Sequence, residues 1–516
     1  MKKGKILTLV LIALTVAAPS ATAQEKKKSF DEFRKGVLEG YSNFRKTILD
    51  NYADFLNGEW HEYESLNGER RDRTPKPSEA PAVSGVPKRH PQKPAATAPA
   101  PTAPTVTPSR PSHPSRPEGK PDSQRPPRPE KRADSHPQSA TNDDFDFFGL
   151  PVSLPGIEFN VSYRLASPSD YASQWKDLDR AGVAKALVPA IRERAREMGL
   201  NDYLIYELVK AYVSAKFPQA DESSRFSAIH YLLANMGYDA RIAVSGAGTP
   251  LLLLPFKQTI YARNYMMMTD GKYYVFAPEG YDYSRLGQER LRTCTLPKDA
   301  DKGEKFDLVL GRLNIPVKPK SFKLEYGPLS LTGEVNENLM PILYHYPQMP
   351  IADYAVSQPD PELRRALVEQ VKSQIGGMEG DEAVEQLLGF MHNVFEYATD
   401  EDFHGFEKPY FLEETLYYPK NDCEDRAIFY TYFLWNALGK EAQLITFPGH
   451  EAATVRLDHP VEGTSYDFSG KSFYISDPTF IGSHTGMVMP IYKNNDPKVD
   501  YTFTDRSRST HSDARH

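Results

Sequence analysis

Three residues in the last quarter of the chain are of the types that together activate a thiol: Cys423, His450 and Asp477. Cys423 follows the turn-forming run Tyr418-Pro419-Lys420-Asn421-Asp422. It opens an apolar stretch of Ala427, Ile428, Phe429, Tyr430, Phe433, Leu434 and Trp435, which Gly439 closes. Pro419, Asn421 and Asp422 are helix-start signals and the glycine is a stop signal, so Cys423 is expected at a helix N-terminus. There the free N–H groups and the helix dipole favour an anion and ease formation of a thiolate. His450 stands just before an alternating run to Leu457 that reads as a strand. Asp477 ends the run Ser472-Phe473-Tyr474-Ile475-Ser476, a second strand stopped by Pro478. A thiol needs a base to take its proton, and the base needs a third group to set its tautomer and steady the imidazolium. Neighbouring antiparallel strands can bring the histidine and aspartate together, with the helix packing its first turn against them.

Plainer readings compete. A single cysteine is more often a small buried hydrophobe than a nucleophile. The other cysteine is Cys294, and in an exported chain the two can pair. Asp422, Glu424 and Asp425 crowd Cys423 with negative charge, which opposes the helix dipole and raises the thiol pKa unless His450 is close. One or more of these acids is expected to cap the helix or to pair with Arg426.

The segments Asp422-Cys423-Glu424-Asp425-Arg426-Ala427, Gly449-His450-Glu451-Ala452-Ala453-Thr454 and Ser476-Asp477-Pro478-Thr479 resemble the transglutaminase-like superfamily. The run Phe395-Glu396-Tyr397-Ala398-Thr399-Asp400 and residues 413–418 are similar to its exported bacterial members. The resemblance covers about residues 360–491. It implies a papain-like core with Cys423 as nucleophile, His450 as base and Asp477 as the orienting acid. The implied reaction is acyl transfer from a peptide or protein amide through a thioester. Water as acceptor gives a peptidase or amidase, and an amine gives a transglutaminase. The oxyanion donors are expected to be the Cys423 N–H and a side chain of the preceding loop, Tyr417 or Tyr418. That loop, residues 398–420, also carries Phe403, Phe406, Tyr410 and Phe411, an aromatic wall suited to an extended peptide. The alternative for these rings is completion of the core. The alternative for the whole chain is a non-catalytic envelope scaffold or binding protein with a vestigial triad.

The elements that must position the three residues lie in a chain of 516 residues, long enough for several domains. A net charge of −7 gives no nucleic-acid footprint, and two cysteines are too few for a disulfide scaffold. Residues 1–23 read as a signal peptide: Lys2, Lys3 and Lys5, an apolar core, then Ala21-Thr22-Ala23. No apolar run is long enough for a transmembrane segment, so an exported protein, periplasmic or secreted, is expected. Residues 24–72 carry an amphipathic helical pattern, with Phe30, Phe33, Val37, Tyr41 and Phe44 at three- and four-residue steps. It reads as a helix docked on its own domain, on a partner or on a second copy. Residues 73–142 are proline-rich and basic and cannot bury a core, which predicts a disordered linker.

The globular part reads as α+β. Residues 143–285 run from helical periodicity into short strands. Residues 286–357 form a β-rich connection, 358–494 hold the triad, and 495–516 read as a flexible tail. The two larger units look alike. Ala186-Leu187-Val188 matches Ala366-Leu367-Val368, Gly237 matches Gly439, and Tyr274-Val275-Phe276-Ala277-Pro278 matches Tyr474-Ile475-Ser476-Asp477-Pro478. Self-similarity at this scale predicts a duplicated domain. The first copy is degenerate: its nucleophile position falls near Asp221, its aspartate position is Ala277, and most of the 398–420 loop is missing. No metal or cofactor is expected. His450-Glu451 lacks a second histidine at helical spacing, and Asp400-Glu401-Asp402 is not followed by an EF-hand pattern.

Overall fold

The computed structural model describes residues 60–64, 72, 142–161, 168–246, 248–268, 271–287, 290–294, 303–379 and 381–504. The expected signal peptide, most of the amphipathic helix and nearly all of the proline-rich linker lie outside these. Trp60–Glu64, placed in that helix by periodicity, is instead a strand, β1. An open sheet edge offers it a full ladder of backbone partners, and that outweighs the helical spacing of two aromatics.

The first half begins with a hairpin, β2 (Asn142–Phe147) and β3 (Leu150–Pro155). Four helices follow: α1 (Pro168–Arg180), α2 (Val183–Met198), α3 (Asp202–Lys216) and α4 (Glu222–Asn235). In α2 the residues Val183, Leu187, Ile191, Ala195 and Met198 recur at steps of four and three and are all buried. Asn201 caps α3 by accepting the Leu204 N–H, and Asp221 caps α4 by accepting the Ser224 N–H. Then come β4 (Arg241–Val244), β5 (Pro250–Pro255), β6 (Tyr265–Met268), β7 (Gly271–Phe276) and β8 (Arg290–Cys294). Their order across the sheet is β1-β8-β4-β5-β7-β6. Alternation splits β5 cleanly. Leu252 and Leu254 face the helices, while Leu251 and Leu253 pack with Tyr273, Val275 and Leu291 on the opposite face.

Residues 303–318 then cross in extended form to a hairpin, β9 (Pro319–Tyr326) and β10 (Leu329–Asn336). The short helices α5 (Met340–Tyr344) and α6 (Ile351–Val356) lead to α7 (Pro361–Ile375) and α8 (Glu382–Val394). Beyond the two-residue strand β11 (Glu396–Tyr397) lie α9 (Asp400–Phe403) and α10 (Leu412–Tyr417). The strand β12 (Lys420–Asn421) then leads directly into α11 (Cys423–Asn436). The last strands among the described residues are β13 (Ala442–Phe447), β14 (His450–Val455), β15 (Ser465–Phe468), β16 (Lys471–Ile475) and β17 (Lys498–Phe503). Their order is β15-β16-β14-β13-β17.

The two sheets share one topology, β6-β7-β5-β4-β8 in the first half and β15-β16-β14-β13-β17 in the second. A 14-residue helix precedes each, α4 and α11. Gly237 and Gly439 follow these helices with φ of 86° and 68°. This topology moves two sequence-based boundaries. Residues 290–294 were expected in the connection and 498–503 in the tail, but each forms the fifth strand of its sheet. Each pairs with the first strand of its sheet, β4 or β13, across three intervening strands, so no local pattern marks it.

One apolar core runs through both halves, from Phe145 and Leu187 to Leu367, Phe433 and Phe503. The connection is fastened to each. Asn201 Nδ2 donates to the Tyr346 hydroxyl at 2.7 Å, which donates to the Leu308 carbonyl at 2.7 Å. The Tyr261 N–H donates to the Gln348 carbonyl at 2.9 Å, and on the side of the second half the Leu313 N–H donates to the Pro359 carbonyl at 3.0 Å.

Two buried ion pairs hold the segment before α11. Arg364 makes a bidentate pair with Glu413 at 2.7 and 2.8 Å, and Lys408 meets Glu414 at 2.9 Å. All four side chains are 2% exposed or less. Breaking a buried pair from one side leaves the other charge uncompensated. Glu413→Ala is therefore expected to lower the unfolding free energy by about 3–5 kcal/mol. Denaturant titration checks this, with Glu362→Ala, whose pairs are exposed, as a control that changes little.

Candidate active site

Every residue of α11 from Cys423 to Trp435 is buried. The helix packs on β13 and β14 and is surrounded by α6, α8 and α10. Its N-terminus therefore ends inside the protein. Asp422 is the N-cap residue, and Asp425 reaches back to accept the Asp422 N–H at 3.2 Å. The other Asp425 oxygen accepts the Tyr410 N–H at 2.7 Å, which ties the 398–420 loop to the helix start. Arg426 does not pair with these acids. Its Nε donates to Asn421 Oδ1 at 2.8 Å and its Nη2 to the Phe395 carbonyl at 3.1 Å.

Cys423 is a free thiol, 1% exposed. A disulfide with Cys294 is thus not formed. The thiol donates to Glu424 Oε2 at 3.1 Å, and its sulfur accepts the Glu451 N–H at 3.4 Å. Burial pushes the thiol pKa well up, and the negative charges of Glu424 and Asp422 push it further, while the Glu451 N–H works against them. The resting group is a protonated thiol, despite its place at a helix N-terminus.

His450 opens β14, immediately after the two-residue turn Pro448-Gly449. Gly449 has φ 74°, a conformation in which a side chain would be strained. His450 Nε2 meets Asp477 Oδ2 at 2.8 Å, with both side chains 3% exposed or less. The imidazole lies parallel to the Tyr492 ring, 5.6 Å between centroids, and Tyr492 stacks on Phe447 on its own account. Asp477 is held by a local turn: Oδ1 accepts the Thr479 and Phe480 N–H groups at 2.9 and 3.3 Å. Behind it, His392 Nε2 donates to the Asp477 carbonyl at 3.0 Å while His392 Nδ1 accepts the Gly482 N–H at 3.4 Å. These two bonds fix the His392 tautomer. Nothing about His392 marked it in the sequence except its place on the buried face of a helix.

Cys423 and His450 both line one cavity of about 640 Å3. Its far wall is Tyr261 from the first half, with Pro350, Ile351 and Ala352. The 398–420 loop contributes Glu407 and Pro409 to this cavity, not its aromatic residues. Tyr410 and Phe411 are buried and complete the core. Tyr410 shares a hydrogen bond with His404, and Phe411 packs on Tyr346 and Tyr354. Phe403 packs against His404 and Tyr418. Phe406 is exposed and lines a neighbouring pocket with Tyr344 and Arg263. The oxyanion candidates also sit elsewhere. Tyr418 is buried among Tyr410 and His404, and Tyr417 lies under the Lys320 ammonium at 3.7 Å. For the buried rings the reason is shared: the ion pairs and the Asp425 bond draw the loop inward, with Phe411 against Tyr346 and Tyr354 of the connection.

Carboxylates crowd behind the thiol. Asp400, Glu407 and Glu424 bring oxygens within 4.8 Å of one another, as do Asp400, Asp422 and Asp425. Either group could hold a divalent cation. Burial, reinforced by the other acids, pushes the Asp400 carboxyl up to about 10 and raises Asp422 and Asp425 strongly.

The first half has none of the three groups at matching places. Glu222 opens α4 as Cys423 opens α11. Thr249 closes the hairpin onto Ser245 where His450 pairs with Phe447. Counting two residues on from the ladder pairs Leu253↔Val275 and Thr454↔Ile475 reaches Ala277 and Asp477.

The raised thiol pKa has a direct readout. Alkylation of Cys423 by iodoacetamide, followed on the labelled peptide, is expected to titrate above the ordinary cysteine value of about 8.5. Glu424→Gln removes the nearest negative charge and should move the midpoint down; an unchanged midpoint would mean that Glu424 does not set it. No family model matches the chain, and no curated protein matches it either.

Proposed function

We propose that the protein is a cysteine-dependent acyl-transfer enzyme acting on peptide or protein amides, of the transglutaminase-like kind. The observation that carries this is the buried 2.8 Å contact of His450 Nε2 with Asp477, in a strand whose first residue shares a cavity with Cys423. Asp477 accepts from Nε2–H, which leaves Nδ1 as the free base of the ring; the resting thiol donates to Glu424 and must turn from it to Nδ1 before proton transfer. On this reading Nδ1 takes the Cys423 proton as sulfur attacks the amide carbonyl. A C–S bond forms and the carbonyl becomes an oxyanion. The imidazolium returns its proton to the amide nitrogen, the C–N bond breaks and the amine leaves. Water or a second amine, deprotonated by His450, then cleaves the thioester and restores the thiol. A protonated resting thiol suits proton transfer concerted with attack better than a stable ion pair.

The first half is read as a degenerate copy of the same papain-like fold, on the shared strand order and the substitutions Glu222, Thr249 and Ala277. A carboxylate cannot form the thioester and an alanine cannot orient a base. Its contribution to the chemistry is the wall residue Tyr261 and the packed surface that carries it. The signal-peptide pattern of residues 1–23 supports export. The second reading, a binding protein with a vestigial triad, draws support from the buried, protonated thiol.

A thiol-directed peptide probe and a peptide-amide library distinguish the two. Wild type should label at Cys423 and turn over at least one peptide, and Cys423→Ala should do neither. Asp477→Asn should keep the fold but lower kcat by about 10⁴-fold, because the base is held in the wrong tautomer. Labelling without turnover across the library would favour the binding protein.

A further inference from the structure

We propose that the cavity at Cys423 selects a substrate carrying a cationic group, a lysine or arginine side chain or a free amino terminus, beside the amide under attack. This inference deepens the acyl-transfer reading and rests on it for the word substrate. Five carboxylates line the cavity with the thiol: Glu407, Glu424, Glu451, Asp496 and Asp500. Its one lysine, Lys498, already pairs with Asp500 at 2.5 Å and is 78% exposed.

Glu451 and Asp500 are also short of donors. Glu451 is 6% exposed, and its Oε1 has no hydrogen-bond partner. Its Oε2 and one oxygen of Asp500 both converge on the Thr446 hydroxyl, which has a single proton to give. A buried carboxylate oxygen left without a donor is costly. An ammonium supplies three donors and a guanidinium five, each with the charge the cavity lacks.

The test uses the full chain and two thiol reagents of similar size and opposite charge, 2-aminoethyl and 2-sulfonatoethyl methanethiosulfonate. Modification is read on the Cys423 peptide, and each rate is divided by the reagent's rate with free cysteine. The cationic reagent is expected to be favoured by about tenfold or more, and high salt should erode the ratio. The pair Glu407→Gln and Asp496→Asn should bring it down several-fold. A ratio of one or less in wild type, or one unmoved by both substitutions, overturns the proposal. Calcium chloride titrated into the protein alone tests the other source of positive charge and is expected to give no saturable uptake. A stoichiometric calcium ion that erases the reagent preference would assign these carboxylates to a metal and overturn the proposal as well. In the peptide-amide library, lysine beside the bond should lower KM relative to alanine, and glutamate should raise it. If no peptide is turned over while the reagent preference stands, the acyl-transfer reading fails and charge selection survives it.

Discussion

The complete burial of α11 is the constraint on which the second half depends. A helix with no solvent face must be covered on every side, and it is: by β13 and β14, by α6 and α8, and by α10. Its N-terminal N–H groups then need partners inside the protein. Among the buried acids there, Asp425 accepts the N–H of the cap residue Asp422 and that of Tyr410 in the incoming loop. The same burial places a thiol at the end of the helix and beside the start of β14. Position and chemical environment of Cys423 thus have one cause.

That cause has opposed effects on the thiol. A helix N-terminus favours an anion, but the effect is screened and local, typically under about 1 kcal/mol. Desolvation of a fully buried thiol is larger, and the neighbouring carboxylates add to it. The sum keeps the proton on sulfur at rest. On the proposed acyl-transfer reading, such a site depends on its base and on what enters the cavity, not on a standing thiolate. The rigid mounting of His450 fits that need: a two-residue turn, a stacked tyrosine and a carboxylate that is itself fixed by a turn and by His392.

The two halves share one topology and differ in the groups it carries. Both sheets bury alternate faces of a central strand, and both helices end at a glycine with positive φ. These features answer to packing and backbone geometry, which are indifferent to whether residue 222 or 423 bears a thiol. The halves share one apolar core and are fastened through the connection, so the first half is a fixed part of the wall around the cavity.

Residue type and local pattern by themselves determined a good deal. The start and stop of α11, the strand that begins at His450 and the strand that stops just before Asp477 were legible, because each rests on residues close in sequence, and the internal likeness of the halves showed in matched segments. Even the negative crowding at Cys423 could be read, since adjacent residues cause it. The fifth strands could not, because β8 and β17 pair with β4 and β13 across three intervening strands, a separation that leaves no local trace. Nor could the fate of the aromatic loop. Phe403, Phe406, Tyr410, Phe411, Tyr417 and Tyr418 have the same composition whether they face a cleft or a core. Buried partners far away in sequence, Arg364 for Glu413 and the α11 start for Tyr410, decided which way that loop turns. Tertiary structure decided the cavity for the same reason. Its wall joins Tyr261, Glu407, His450 and Asp500, which no spacing along the chain relates.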